Sequence, residues 1–231
     1  TLVGTTDVGF EGDPGGISIS DEEARYICDA VNEYLAKDVS PEEAVSSYSG
    51  VRPLYDDKAG SNSTVTRDYV FELDAEGPDG EAAPPILSVF GGKITTYRKL
   101  AEHALAKLAK TGVVADAPWT DGAALPGGDF PVDGVAALVD DTLALYPFLT
   151  LGNALRLVRA YGTLVPQVLG EARDPADLGQ DFGAGLTARE IDWLRDNEYA
   201  STARDILWRR SKLWLHMTSS QREAVADYCG G

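Results

Sequence analysis

Cysteine is nearly absent from this sequence: Cys28 and Cys229 are the only two in 231 residues. Two such distant cysteines make neither a disulfide framework nor an iron–sulfur ligand set, so a reducing compartment is the default. Histidine is equally scarce. His103 and His216 have no partners at metal-ligand spacing, and no bound metal is expected. His103 falls inside a helical pattern and reads as a structural or solvated residue, not a ligand. Positive charge is also short, with 20 Lys and Arg against 37 Asp and Glu, a net charge of −17 and a pI near 4.4. That leaves no basic stripe to neutralise phosphates, which argues against nucleic acid as a partner. It also disfavours simple electrostatic docking of this portion on an anionic membrane. No apolar run is long enough to span a bilayer, and no basic, apolar leader opens the chain. There are no internal repeats. The first residue is Thr1, leading straight into an apparent strand, which suggests a piece of a longer chain.

What is present is ordinary in bulk, with 44% hydrophobic and 25% charged residues, enough for one or two globular domains. The informative stretch runs from Leu87 to His103. Pro85 to Phe90 is short and apolar, bounded by prolines and glycines, and reads as a buried strand. Gly91-Gly92 lets the backbone turn tightly and approach something closely. Thr95 or Thr96 can cap a helix, behind which Leu100, Ala104, Leu105 and Leu108 recur at helical spacing. A strand that ends in glycines and delivers helix-start N–H groups suits an anion or an electron-rich ligand edge, and Lys93 adds positive charge there. The plainer alternative is an ordinary β-turn-α corner with a surface lysine. Two phosphate motifs fail. A Walker A loop needs glycine where Leu87 stands and Ser or Thr where Ile94 stands. The one G-x-G-x-x-A string, Gly183 to Ala188, follows no apolar strand and reads as a loop entering a helix.

Elsewhere, Thr1 to Asp7 reads as a strand and Ser20-Asp21-Glu22-Glu23 as a capping box opening a helix to about Lys37. Ser40-Pro41-Glu42-Glu43 starts a second, short helix. Arg52, held between Val51 and Pro53, is biased to an extended backbone and suits either a bidentate grip on phosphate or an ion pair with Asp56 or Asp57. Val65 to Leu73 reads as a strand antiparallel to the one at Pro85. Within it, Arg67 is a second candidate cation, unless Asp68 or Glu72 pairs with it. After a Pro- and Gly-rich loop at 111–128 the character becomes helical: Val135 to Tyr146, Leu151 to Tyr161, Leu164 to Ala172, Thr187 to Tyr199 and Ala203 to Leu215. Thr187 to Glu190 and Ser220 to Glu223 read as capping boxes. Trp193, Trp208, Trp214 and Leu215 read as bundle core, the alternative for Trp208 to Met217 being a membrane-surface or partner-binding helix.

GGKITTYRKLAEHAL at 91–105 resembles the flavin-facing turn and helix of the FAD-dependent glycerol-3-phosphate dehydrogenases. TLVGTTD at 1–7, YSGVRPL at 48–54, TRDY at 66–69, LPGG at 125–128, YPFLT at 146–150, DLGQDFG at 177–183 and LWRR at 207–210 resemble the same family, in the family's order. The resemblance covers nearly the whole chain and is to the family's C-terminal portion. It implies an α+β fold. Residues 1–112 would be part of the FAD and substrate domain, with a partial antiparallel sheet, and residues 113–231 an all-α C-terminal domain. It implies oxidation of sn-glycerol 3-phosphate to dihydroxyacetone phosphate, with FAD as hydride acceptor and a quinone as the electron partner. The parent enzyme would sit peripherally on the inner, cytoplasmic face of the cytoplasmic membrane and could form a homodimer. Arg52 and Arg67 would hold the substrate phosphate. Lys93 would lie between substrate and flavin, making Lys93 and Arg52 the catalytic candidates. Gly50, Gly91, Gly92, Lys93, Ile94, Thr95 and Thr96 would contact the cofactor. The strand–GxGxxG–helix unit that holds the ADP half of FAD does not occur in these 231 residues, so the segment alone is expected to bind FAD weakly and to be inactive. Two rivals stand beside this reading: a non-catalytic helical assembly module, and a glycerol-3-phosphate oxidase that passes electrons to oxygen.

Overall fold

The computed structural model describes residues 1–52, 68–77, 79–112, 114 and 118–230. They form two compact units, Thr1–Gly122 and Ala123–Gly231. The fold is α+β, with two small antiparallel sheets and a predominantly helical second unit.

In the first unit, helix α1 spans Asp21–Asn32. Its capping box forms as the sequence predicts: Ser20 Oγ accepts from the Glu23 amide at 3.2 Å, and the Glu23 carboxylate accepts from the Ser20 amide at 3.0 Å. The helix stops short of Lys37, with Asn32 turned back onto Val39 through bonds of 3.0 and 2.9 Å. Ser40-Pro41-Glu42-Glu43 closes a single 3₁₀ turn, Pro41–Glu43. No strand forms at Thr1 to Asp7, because no described strand pairs with it, and an extended segment without a ladder partner is not a strand.

The hairpin is built of β1 (Val70–Glu76) and β2 (Ala82–Phe90), antiparallel, with Val70 opposite Phe90, Leu73 opposite Leu87 and an irregularity between Asp74 and Glu76. It is less buried than the sequence suggests: Ile86, Val89 and Phe90 are all exposed. Two strands cannot cover both of their own faces. Helix α2, Tyr97–Ala109, runs back along the hairpin, and its Lys107 lies 5.7 Å from the Phe71 ring. No described residue of this unit is buried; every core residue lies between Val139 and Val225.

The second unit has helices α3 (Val135–Leu145), α4 (Leu151–Tyr161), α5 (Val165–Leu169), α6 (Ala188–Asn197) and α7 (Ser219–Cys229), with a short hairpin of β3 (Asp181–Gly183) and β4 (Leu186–Thr187). Leu157, Val158, Val168, Leu186, Ile191, Leu194, Ile206 and Val225 form its core. The Gly183 to Ala188 string is this hairpin and the entry to α6, not a dinucleotide loop. Several sequence expectations are corrected here. The Leu164 to Ala172 helix is a 3₁₀ turn followed by the five residues of α5, ended by Gly170 at φ 62°. Thr187 caps nothing, because Glu190, its supposed partner, is drawn into the core by Arg156. The last capping box is Thr218 with Gln221, two residues ahead of the expected pair. Ala203 to Leu215 is a π-helix at Asp205–Arg210, a left-handed Lys212 and a 3₁₀ turn at Leu213–His216. The carbonyl of Ile206 receives both the amide and the hydroxyl of Ser211, at 3.1 and 2.7 Å, and that ends the helix. This break turns Trp214 and Leu215 outward, 37% and 43% exposed, so they are not core. Trp193 does pack on the core, edge-on to Tyr161 at 5.2 Å.

Candidate functional site

The Gly91 to Thr96 turn is the part of the expected site that the structure builds. Gly91 and Gly92 stand at φ 71° and 100°, where a side chain is strained. Their closeness serves the protein itself. A Cβ on Gly91 would lie 3.0 Å from the Asp68 carbonyl oxygen, and one on Gly92 would lie 3.0 Å from Leu100 Cδ1 and 3.5 Å from Tyr69 Cβ. The glycines therefore let the turn lie directly on the entry to β1.

Beyond them, Lys93 precedes a 3₁₀ turn, Ile94–Thr96, that leads into α2. Neither Lys93 nor Thr96 caps the helix with its side chain. Thr96 instead donates its hydroxyl to the Lys93 carbonyl at 3.1 Å, so the expected threonine cap is absent. The helix start thus keeps N–H groups without a side-chain acceptor, at the positive end of the helix dipole. Ile94 is 88% exposed, which leaves this end open to a ligand.

Charge around the turn is sorted by Glu102. Its carboxylate accepts from Arg98 at 2.8 Å, from Lys99 at 2.9 Å and from the Thr120 hydroxyl at 2.5 Å. The Thr120 hydroxyl, then Lys99 and Arg98, hold its carboxyl down at about 2. Arg98 and Lys99 are therefore engaged. Lys93 is exposed and has no ion pair among the described residues. A free ammonium beside uncapped N–H groups is a fit for an electron-rich, hydrogen-bond-accepting edge such as a flavin pyrimidine ring.

Gly50 and Arg52 lie apart in bonding: no hydrogen bond or ion pair joins them to the turn among the described residues. Gly50 has open space where a Cβ would be. Arg52 is half-exposed and pairs with Asp7 at 3.1 Å, a partner the sequence did not single out. Arg67 lies outside the described residues, as do Asp56 and Asp57. A contact that the sequence missed joins Tyr69 and His103, phenol oxygen to Nδ1, at 2.5 Å. Its only signal was TRDY ahead of a strand and one histidine on the following helix. Among the described residues no cluster of His, Cys, Asp or Glu could hold a metal, and no helix is long and apolar enough to cross a membrane.

Residues 119–229 match the C-terminal domain of alpha-glycerophosphate oxidase. The chain is 44% identical over 228 residues to the glycerol-3-phosphate dehydrogenase of Pseudomonas aeruginosa, covering 99% of this chain and 44% of that protein. It is 41% identical to the aerobic glycerol-3-phosphate dehydrogenase of Escherichia coli, covering 99% and 44%. It is 37% identical to the D-erythritol 1-phosphate dehydrogenase of Brucella abortus, covering 98% and 44%. The chain thus spans less than half the length of these relatives. The similarity runs through both units, and residues 119–229 carry the C-terminal domain of the glycerol-3-phosphate oxidase/dehydrogenase family.

Proposed function

We propose that the chain is part of a flavoenzyme that oxidises sn-glycerol 3-phosphate to dihydroxyacetone phosphate. The observation that carries this reading is 44% identity, over 99% of the chain, to a protein named for that substrate. The exposed Gly91 to Thr96 turn, with its uncapped helix start and a lysine without an ion pair among the described residues, agrees with it. FAD, when bound, would supply the acceptor for the hydride that leaves the substrate carbon, with quinone as the class of electron acceptor at the membrane face. Gly91, Gly92, Ile94 and Thr95 would present backbone N–H groups to the cofactor edge, Thr96 would close the turn behind them through its own N–H to the Lys93 carbonyl, and Gly50, with open space where a Cβ would be, would leave room for the ring system. Lys93 adds a fixed positive charge where negative charge grows. Arg52 and Arg67 grip the phosphate, with Arg52 exchanging its Asp7 partner for the dianion. The parent enzyme docks peripherally on the cytoplasmic membrane face, and the helical unit is available for dimerisation. The segment alone is inactive, consistent with a first unit in which no described residue is buried.

Substrate titration of the complete protein tests these roles. Arg52→Ala is expected to raise the concentration of sn-glycerol 3-phosphate giving half-reduction by about 10–100-fold, the value of one charge-assisted bond. Lys93→Ala should slow reduction with little change in that concentration. An Arg52→Ala protein that titrates like the wild type contradicts the phosphate assignment. Two findings favour a second reading of detail. The erythritol-phosphate relative makes a longer polyol phosphate the rival substrate, so D-erythritol 1-phosphate belongs in the same titration. The oxidase name on the matched domain makes oxygen the rival acceptor, separated by comparing reoxidation by quinone and by air.

A further inference from the structure

We propose that Tyr69 and His103 form a positioning pair that ties the Gly91–Gly92–Lys93 turn to the entry of β1, so that the pose of Lys93 depends on one hydrogen bond beneath the turn. The turn rests on Asp68 and Tyr69, with the Gly91 and Gly92 positions 3.0 and 3.5 Å from them for any added Cβ. From that floor the Tyr69 ring reaches α2, where its hydroxyl meets His103 Nδ1 at 2.5 Å, the two rings being 5.9 Å apart at 61°. Its other neighbour is Phe71, at 5.0 Å and 50°. Tyr69 is therefore held by its Cβ beside Gly92, by ring contact with Phe71 and by its hydroxyl on α2.

Among the described residues, few other side-chain contacts hold the turn. Its two glycines are the most permissive backbone units, and the 3₁₀ segment after them has no side-chain cap. Its one side-chain bond, Thr96 to the Lys93 carbonyl, is internal to it and fixes nothing to the sheet. Closing β1 against α2 through Tyr69 and His103 fixes both ends of the turn at once. Either partner can donate in this bond, so a glutamine at 103, which donates and accepts, can replace the imidazole in both senses.

Backbone hydrogen exchange at 91–97 in the complete protein tests the brace without reference to any cofactor. Tyr69→Phe and His103→Leu are each expected to speed exchange there about fivefold, the loss of one hydrogen bond. The double variant should be no faster than either single one, and His103→Gln should restore slow exchange. Unchanged exchange in both single variants overturns the pair, as does a double variant whose effect is the product of the two. A second readout rests on the proposed function. The midpoint potential of bound flavin should fall in Tyr69→Phe and in His103→Leu and stay at the wild-type value in His103→Gln, because a loosened turn presents less positive potential to the cofactor. A potential that stays put while exchange rises overturns the link from the brace to the site. Wild-type protein without flavin would overturn the functional reading and leave the exchange result standing.

Discussion

Glu190 is a carboxylate with 1% of its surface exposed, and it survives in the core because every side of it is answered. Arg156 reaches both of its oxygens at 2.8 and 2.7 Å, and the Tyr161 hydroxyl donates at 2.6 Å. The second Arg156 nitrogen also donates to the Gly185 carbonyl at 2.6 Å, which fastens the β3–β4 hairpin to α4. Burial works against the Arg156 charge, but the bond to Glu190 and its charge outweigh it and hold the guanidinium above its usual range. Burial, then the neighbouring Glu190 charge, pushes the Tyr161 phenol up, so it stays a donor at every working pH. Removing one partner strands the other, so Glu190→Ala should cost about 3–5 kcal/mol in urea unfolding. A loss under about 1 kcal/mol would show that the pair contributes no more than a surface bridge. Glu102 behaves differently, because water reaches its surroundings. Its folded carboxyl titrates at about 2 against an ordinary 4.5. The depressed value means that its contribution is complete above the ordinary range and disappears as pH falls from about 4.5 to about 2. The Glu102 carboxyl carbon, followed by NMR, should titrate near the lower end, and a midpoint at or above 4.5 contradicts the Thr120 and Lys99 contacts.

At the scale of elements, the helix starts separate what the sequence states from what packing decides. Thr218 accepts from the Gln221 amide at 3.3 Å while Gln221 answers the Thr218 amide at 2.9 Å. Thr218→Ala should therefore cost about 1 kcal/mol of stability, and Ser220→Ala far less, in thermal unfolding. Equal losses would restore the box to Ser220. The rule for a cap was legible, but Thr218 and Ser220 both satisfy it, and only the chain's entry angle chooses. At Thr187 the rule failed outright, because a partly buried arginine outcompeted the helix start for Glu190. Spacing alone cannot show a partner 34 residues away. The turn glycines were legible as a turn, but not for what they approach. The same holds for LPGG. Gly162 ends α4 at φ 54°, and a Cβ there would fall 1.8 Å from the Gly127 carbonyl oxygen, so these two glycines require each other. The β1–β2 pairing followed from apolar alternation. The π-helix at Asp205–Arg210 did not, since its apolar residues suit an ordinary helix equally well.

Across the whole molecule, the two units differ in how they are stabilised. Among the described residues the second holds all of the buried core, and the first presents Leu2, Val8, Val45, Tyr48, Ile86 and Ile94 to solvent. Burial of apolar surface is the main favourable term in folding, so residues 123–231 made alone should unfold cooperatively. Residues 1–122 made alone should show weak or no cooperative transition in circular dichroism. A sharp transition in residues 1–122 would contradict this division. Family membership was legible from short motifs spread along the chain, while Arg52's pairing with Asp7 and the Tyr69–His103 contact depend on long-range closure that no motif states.

The complete protein is expected to carry a flavin that sn-glycerol 3-phosphate reduces. Its visible spectrum, recorded without oxygen before and after this substrate is added, tests that most directly. The expected result is an oxidised flavin band that bleaches on addition. A flavin band indifferent to sn-glycerol 3-phosphate contradicts the substrate, and a protein with no flavin band contradicts the whole catalytic reading and leaves the helical unit as an assembly module.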